Sequence, residues 1–269
     1  MPSLGDLISL LEVWFPPAMA ADWDAVGLVW GDPASPVRKV LFAVDPSVCV
    51  AEEAAEWGAD LLVVHHPLFL RAVHGVPRID PKGRVIGTLA DAGCALYTAH
   101  TNADQASGGV SESLAVALGM TDLEPILPGI PESTGMGRIG RVPDSTLGAF
   151  ATLVAARLPP TSGGIRVAGD ADRIIRRAAV CGGSGDFLLD HLVATEVDVY
   201  VTSDLRHHRA SEFMEHGGPA LIDVPHWAAE WTWLPVVAER LFIATGAGMR
   251  DSVETRVSLT PTDPWSFRI

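Results

Sequence analysis

Two adjacent histidines, His65 and His66, end the apolar run DLLVV and are stopped at once by Pro67. Imidazole is a common ligand for transition metals, so the pair points to metal chemistry. Successive side chains of a strand point to opposite faces, which makes two ions with one imidazole each the easier geometry unless the backbone bends at Pro67. The alternative is a half-buried pair in which each ring is satisfied by a hydrogen bond. Further groups favour the metal. HTNAD places Asp104 four residues after His100, where a loop can swing a carboxylate over a strand end, although an Asx turn or helix cap would use the same residues. IDVPHWAAEW sets His226 and Glu230 four apart as a helical pattern begins, so both side chains leave one face; a plain surface His–Glu pair has the same spacing.

Together His65, His66, Asp104, His226 and Glu230 offer three imidazoles and two carboxylates. Such a mixed nitrogen and oxygen set suits Zn, Mn, Fe, Co or Ni better than Ca or Mg, which prefer oxygen shells. Two ions sharing so few protein ligands keep positions open for water or substrate. Metal-assisted hydrolysis is the reaction class this favours, with Glu230 able to bridge two ions.

These residues need strand ends to hold them, and the chain supplies a βα rhythm. KVLFAVD, DLLVV and CALYTAH read as strands separated by the helical patterns VCVAEEAAEWG and GRVIGTLADAG, with VSESLAVALG as a further helix. That order predicts an α/β fold of mainly parallel or mixed sheets flanked by helices, with ligands at the carboxyl ends of strands, where Asp45, His65, His66 and His100 stand. Asp45 reads equally as a ligand, as a partner orienting one, or as an N-cap. The Pro/Gly-rich tract Pro125–Gly137 breaks the rhythm and is read as a boundary, giving one lobe of residues 1–127 plus 219–269 and another of 128–218. Beyond it come strands at MGRIGRV, IRVAG, RRAAVC, DVYVTSD and PALIDV, helices over Ser145–Leu158, after GGSG and over Trp227–Leu241, and a last strand at VETRVSLT.

Composition narrows the functional classes. A formal net charge of −14 opposes non-specific binding to nucleic acid or anionic lipid, and no apolar stretch has the length of a membrane span. The N-terminal MPSLGDLISLLEVWF reads as an amphipathic helix rather than a secretory signal. Cys49, Cys94 and Cys181 are widely spaced and are expected to be small core residues in a reducing cytoplasm.

The segments DWDAVGLVWG, VVHHPLF, YTAHTNAD, GGVSESLAVALG, VCGGSG, VTSDLRHH and IDVPHWAAE resemble the NIF-three-like family, whose bacterial members are commonly named type 2 homologues of GTP cyclohydrolase I. The resemblance runs through nearly the whole chain and implies two divalent metal ions in a cleft between two α/β lobes, a ring-shaped homohexamer, and His65, His66, Asp104, His226 and Glu230 as ligands. A small, nucleotide-like substrate is implied by the same resemblance. Ala25, Ser203, Pro225 and Trp227 depart from the family's usual residues without removing a ligand, and the inserted domain of some longer members is missing. A non-catalytic metal-binding scaffold or regulatory protein is the rival expectation.

Two further signals stand apart. Gly182–Gly185 lies between a strand and a helix, so its amides could cradle a phosphate or simply make a tight turn. The pair His207 and His208 comes just after DVYVTSD; His208 is the candidate for proton transfer, and a solvated helix start is the alternative.

Overall fold

The structure is a computed structural model that describes residues 1–246 and 252–269. Its residues group into two compact units, Met1–Ala106 with Leu234–Thr262, and Ser107–Trp233 with Asp263–Ile269. The chain begins α1 (Leu4–Trp14), β1 (Gly27–Trp30), β2 (Lys39–Ala43), α2 (Val48–Trp57), β3 (Leu61–Val64), α3 (Pro81–Ala92), β4 (Ala95–Thr98) and α4 (Thr101–Gln105). The second unit runs α5 (Val110–Ala117), β5 (Thr121–Glu124), β6 (Leu127–Pro128), β7 (Gly135–Met136), β8 (Arg138–Thr146), α6 (Leu147–Arg157), β9 (Arg166–Ala168) and β10 (Ile174–Ser184). It continues with α7 (Leu189–Leu192), β11 (Val199–Ser203), α8 (His207–Glu215), β12 (Ala220–Asp223) and α9 (His226–Trp231). Helix α10 (Trp233–Ala244) and β13 (Glu254–Val257) return the chain to the first unit.

Both sheets are mixed and flanked by helices. In the first, the order is β1-β4-β3-β2-β13, with β13, β2, β3 and β4 parallel and β1 antiparallel at one edge. Every residue of β3 is buried, as a central parallel strand covered on both faces requires. Leu41, Leu62 and Leu96 from three neighbouring strands meet Val50 of α2 and Leu89 of α3 in one core. Register opposes Ala43 to Val64 and Val64 to Thr98, so the carboxyl ends of β2, β3 and β4 share one sheet edge. Helix α1 is amphipathic, as its leucine spacing predicts: Leu4, Leu7 and Leu11 are buried, and Ser3 with Asp6 forms a capping box.

The second sheet has the order β5-β8-β10-β11-β12-β9. Strands β10, β11 and β12 are parallel, while β5, β8 and β9 join antiparallel. Tyr200, Leu221 and Leu188 belong to its core. The tract Pro125–Gly137 lies in this unit, where β6 and β7 pair, and it is tied down by the buried Arg138. That guanidinium donates to the carbonyls of Gly135 and Gly137 at 2.8 and 2.7 Å and faces Glu112. A buried charge needs such partners.

Three expectations change. The helix expected over Trp227–Leu241 is two helices, α9 and α10, parted at Thr232. Pro235 explains the break, since it has no N–H for a continuous ladder but fits a first turn. Cys94 and Cys181 are buried, whereas Cys49 is exposed on the first turn of α2, 3.1 Å from the Ser47 hydroxyl. Gly182 and Gly183 belong to the end of strand β10, and the chain continues into a three-residue 3-10 turn and the four-residue α7, too short a helix to focus a dipole on phosphate. No described helix is long and apolar enough to cross a membrane.

Burial pushes the Cys94 thiol up to about 12, so it stays protonated and unreactive near neutrality. At about pH 8 a thiol reagent is expected to modify Cys49 alone in the native chain, and all three cysteines after denaturation. Peptide mapping of the labelled protein checks this; native labelling of Cys94 at the rate of Cys49 would contradict the packing described.

Candidate metal centre

The first unit's cluster stands at the shared edge of β2, β3 and β4. Sheet-like pairing continues past the strand ends: the backbone N–H of His65 bonds to Ala43 and Val44 carbonyls at 3.2 and 3.1 Å, and that of His66 to Val44 at 2.9 Å. The chain bends at the histidines themselves, one step before Pro67. The bend matters, because the two rings then lie with centroids 5.0 Å apart instead of diverging across the sheet. His65 is fully buried and His66 half-buried. Asp104, on α4, brings a carboxylate oxygen to 3.7 Å from His65 Nε2.

His100 joins this group. Its ring centroid is 5.1 Å from that of His65 and 5.6 Å from that of His66, and one ring nitrogen of each of the three lies within 4.8 Å of the others. Sequence reasoning places His100 at a strand end but leaves it outside the ligand set. It misses Asp24 as well. The Asp24 side chain is buried, meets His100 Nδ1 at 2.8 Å, and accepts from the Thr101 backbone N–H at 3.0 Å and from the Thr101 hydroxyl. Burial pushes the Asp24 carboxyl up, but hydrogen bonds from His100 and Thr101 outweigh it and hold the group below its ordinary value. The only local signal is an acid in DWDAVGLVWG, 76 residues before its imidazole partner.

In the second unit the same construction recurs at the ends of β11 and β12. His226 opens α9 directly after Pro225, and its Nε2 lies 2.8 Å from Glu230 Oε1, one helical turn on. Its Nδ1 meets Asp204 Oδ2 at 2.7 Å. Asp204 has a left-handed backbone, φ 59°, which aspartate tolerates better than most residues. Gly183 supplies the space: a Cβ there would stand 2.4 Å from Glu230 Oε1 and 3.2 Å from His226 Nε2. The GGSG glycine thus serves the His–Glu pair sterically. His208 is exposed at the start of α8, its ring 5.1 Å from that of His207.

One pattern unites these rings. His65 Nδ1 meets the Ala99 carbonyl at 2.9 Å, His66 Nδ1 meets Asp45 at 2.7 Å, His100 meets Asp24, and His226 meets Asp204. A carbonyl or an ionised carboxylate only accepts, so each Nδ1 must carry the proton; the other ring nitrogen, Nε2, is the one left for a ligand, and in His226 it already faces Glu230 Oε1 at 2.8 Å. Outer oxygens that fix a tautomer and orient the ring are the usual support of metal-ligating histidine. The Thr262 hydroxyl in turn donates to Asp45. Donor types, the fixed tautomers and the space above Gly183 all fit divalent transition metal.

The sequence profile of Duf34/NIF3, NGG1p interacting factor 3, matches residues 2–264. A GTP cyclohydrolase 1 type 2 homolog of Streptomyces coelicolor is 45% identical, over 100% of this chain and 95% of its own. A protein of the same name from Mycobacterium tuberculosis is 34% identical, over 98% of this chain and 97% of its own. Among solved structures, a Bacillus cereus protein related to NIF3 superposes with a TM-score of 0.90 at 25% identity, covering 99% of both chains. The Staphylococcus aureus protein SA1388 gives 0.89 at 26% identity, with the same coverage.

The tautomer pattern is directly measurable. Long-range nitrogen–proton NMR correlations of the metal-free protein are expected to show His66, His100 and His226 protonated at Nδ1, and Asp45→Ala to release His66 into a mixture. Rings of His66 or His100 protonated at Nε2 alone in the unsubstituted protein would refute the arrangement.

Proposed function

From its membership of the Duf34/NIF3 family, to which the chain belongs over residues 2–264, we propose that the protein is a hydrolase that depends on two divalent metal ions and acts on a small, nucleotide-like substrate. One observation carries this reading: every candidate imidazole has its Nδ1 held by an oxygen acceptor, leaving Nε2 to ligate. The proposed ligands are His65, His66 and Asp104 of the first unit and His226 and Glu230 of the second. Zn, Mn, Fe, Co or Ni suits this set.

Divalent ions held there supply Lewis acidity to a hydrolytic water and to a substrate oxygen. The chain's own groups do the rest. Asp45 and Asp204 hold the rings of His66 and His226 against rotation. Glu230, 3% exposed and fixed on α9, is a carboxylate able to accept a proton from water. His208, open to solvent on α8, is assigned proton transfer to the leaving group. The name borne by the Streptomyces and Mycobacterium relatives supports GTP as the first substrate to assay. A ring-shaped homohexamer is the proposed assembly, checked by light scattering on the eluted protein.

Elemental analysis of the purified protein is expected to find up to two ions per chain, with part of that content lost in each of His65→Ala, His66→Ala and Glu230→Ala. Asp45→Ala and Asp204→Ala should weaken metal affinity about 10–100-fold. Turnover of GTP, other nucleotides and phosphoesters is then assayed on the loaded protein. Unchanged metal in all three ligand variants would refute the site, whereas two held ions with no turnover would leave the non-catalytic scaffold.

A further inference from the structure

The chain's last residues carry recognition chemistry that the metal centre does not use. Asp263–Ile269 belongs to the second unit and has no regular secondary structure, yet it is tied to the turn before β9 by the Ser162 hydroxyl, which donates to the Ser266 carbonyl at 2.7 Å. On it Trp265 is 70% exposed and Phe267 77%. Two large rings left in water on an anchored segment gain free energy from any ligand that covers them.

Both rings line a cavity of about 600 Å³ within this unit, and His226 lines it too. That volume falls inside the roughly 300–1,000 Å³ typical of small-molecule sites. Arg268 also lines it and has no ion-pair partner among the described residues, whereas the neighbouring Arg166 is paired with Asp223. Gly164, at φ 63°, lets the Arg268 side chain lie against the backbone, since a Cβ there would come within 2.5 Å of Nη1. In a chain of net charge −14, a guanidinium without an ion-pair partner among the described residues, facing a cavity that Asp204, Asp223 and Asp263 also line, is a selective feature. Asp263 adds a buried carboxyl oxygen, Oδ2, with no hydrogen-bond partner among the described residues, suited to a ring N–H.

We propose that this cavity binds the organic part of the substrate, a flat heteroaromatic ring stacked on Trp265 with a phosphate arm held by Arg268. Only the placement of the reacting end, at the wall formed by His226, rests on the proposed metal-dependent hydrolysis. Stacking on an aromatic side chain tolerates many bases, and a planar guanidinium pairs with phosphate through two parallel hydrogen bonds, so the pocket selects a nucleotide by shape and charge.

Calorimetric titration of the full-length, metal-loaded protein with GMP, guanosine and inorganic phosphate tests this. GMP is expected to bind to the unsubstituted protein, at least tenfold more weakly to Arg268→Ala, and with part of the affinity regained in Arg268→Lys. Guanosine binding should be indifferent to Arg268→Ala and lost in Trp265→Ala. Both substituted side chains are exposed, and circular dichroism with metal content confirms that the variants fold. No GMP binding by the unsubstituted protein, equal GMP affinity in all variants, or phosphate binding unaided by the base would each overturn the proposal. The two proposals fail separately. GMP binding that needs Arg268 and Trp265 in a protein holding no metal would sink the metal-dependent hydrolase alone; turnover with KM unmoved in Arg268→Ala would sink this pocket alone.

Discussion

Parallel pairing of β2, β3 and β4 is the constraint on which the first unit's cluster depends. Strands that run the same way finish at the same edge, so register alone gathers Asp45, His65, His66 and His100, which are scattered along the sequence. Bonds from the His65 and His66 amides to the carbonyls at and beyond the end of β2 extend this hold to the histidines themselves. A slip of β3 by one residue would exchange the two rings' environments and turn a buried strand's packing over. The apolar core of Leu41, Leu62 and Leu96 therefore also aligns the candidate ligands.

The second unit repeats the device with different parts. Strands β10, β11 and β12 lead to Gly183, Asp204 and His226, and here the shape is set by what is absent as much as by what is present. Gly183 contributes space, Asp204 contributes an acceptor from a left-handed turn, and α9 contributes the one-turn spacing of His226 and Glu230. In both units one ring nitrogen is committed to an oxygen acceptor so that the other is aimed. Orientation of a ligand by a second polar group is what separates a ligating histidine from one that merely fills a core.

Much of the fold was legible because burial leaves a mark on local sequence. The apolar runs at β2, β3 and β4 and the leucine spacing of α1 are direct consequences of which faces are covered. The break between α9 and α10 was less so, since a proline inside a helical pattern fits a kink, a stop or a first turn, and packing chooses among them. Cys49 departs from its expected core position for a related reason. An apolar neighbourhood marks a helix that has a buried face without saying which residue lies on the other one.

At the candidate site, the donor types and those spacings that fall within a turn or two can be read from the residues alone: the adjacent His65 and His66, His100 with Asp104, and His226 with Glu230. Local geometry suffices there, because strand period and helix period act over a few residues. Which nitrogen each ring presents is set by long-range packing. The acceptors that settle it stand 21, 76 and 22 residues from His66, His100 and His226, and sheet register, which no short stretch of sequence encodes, brings them within hydrogen-bonding reach.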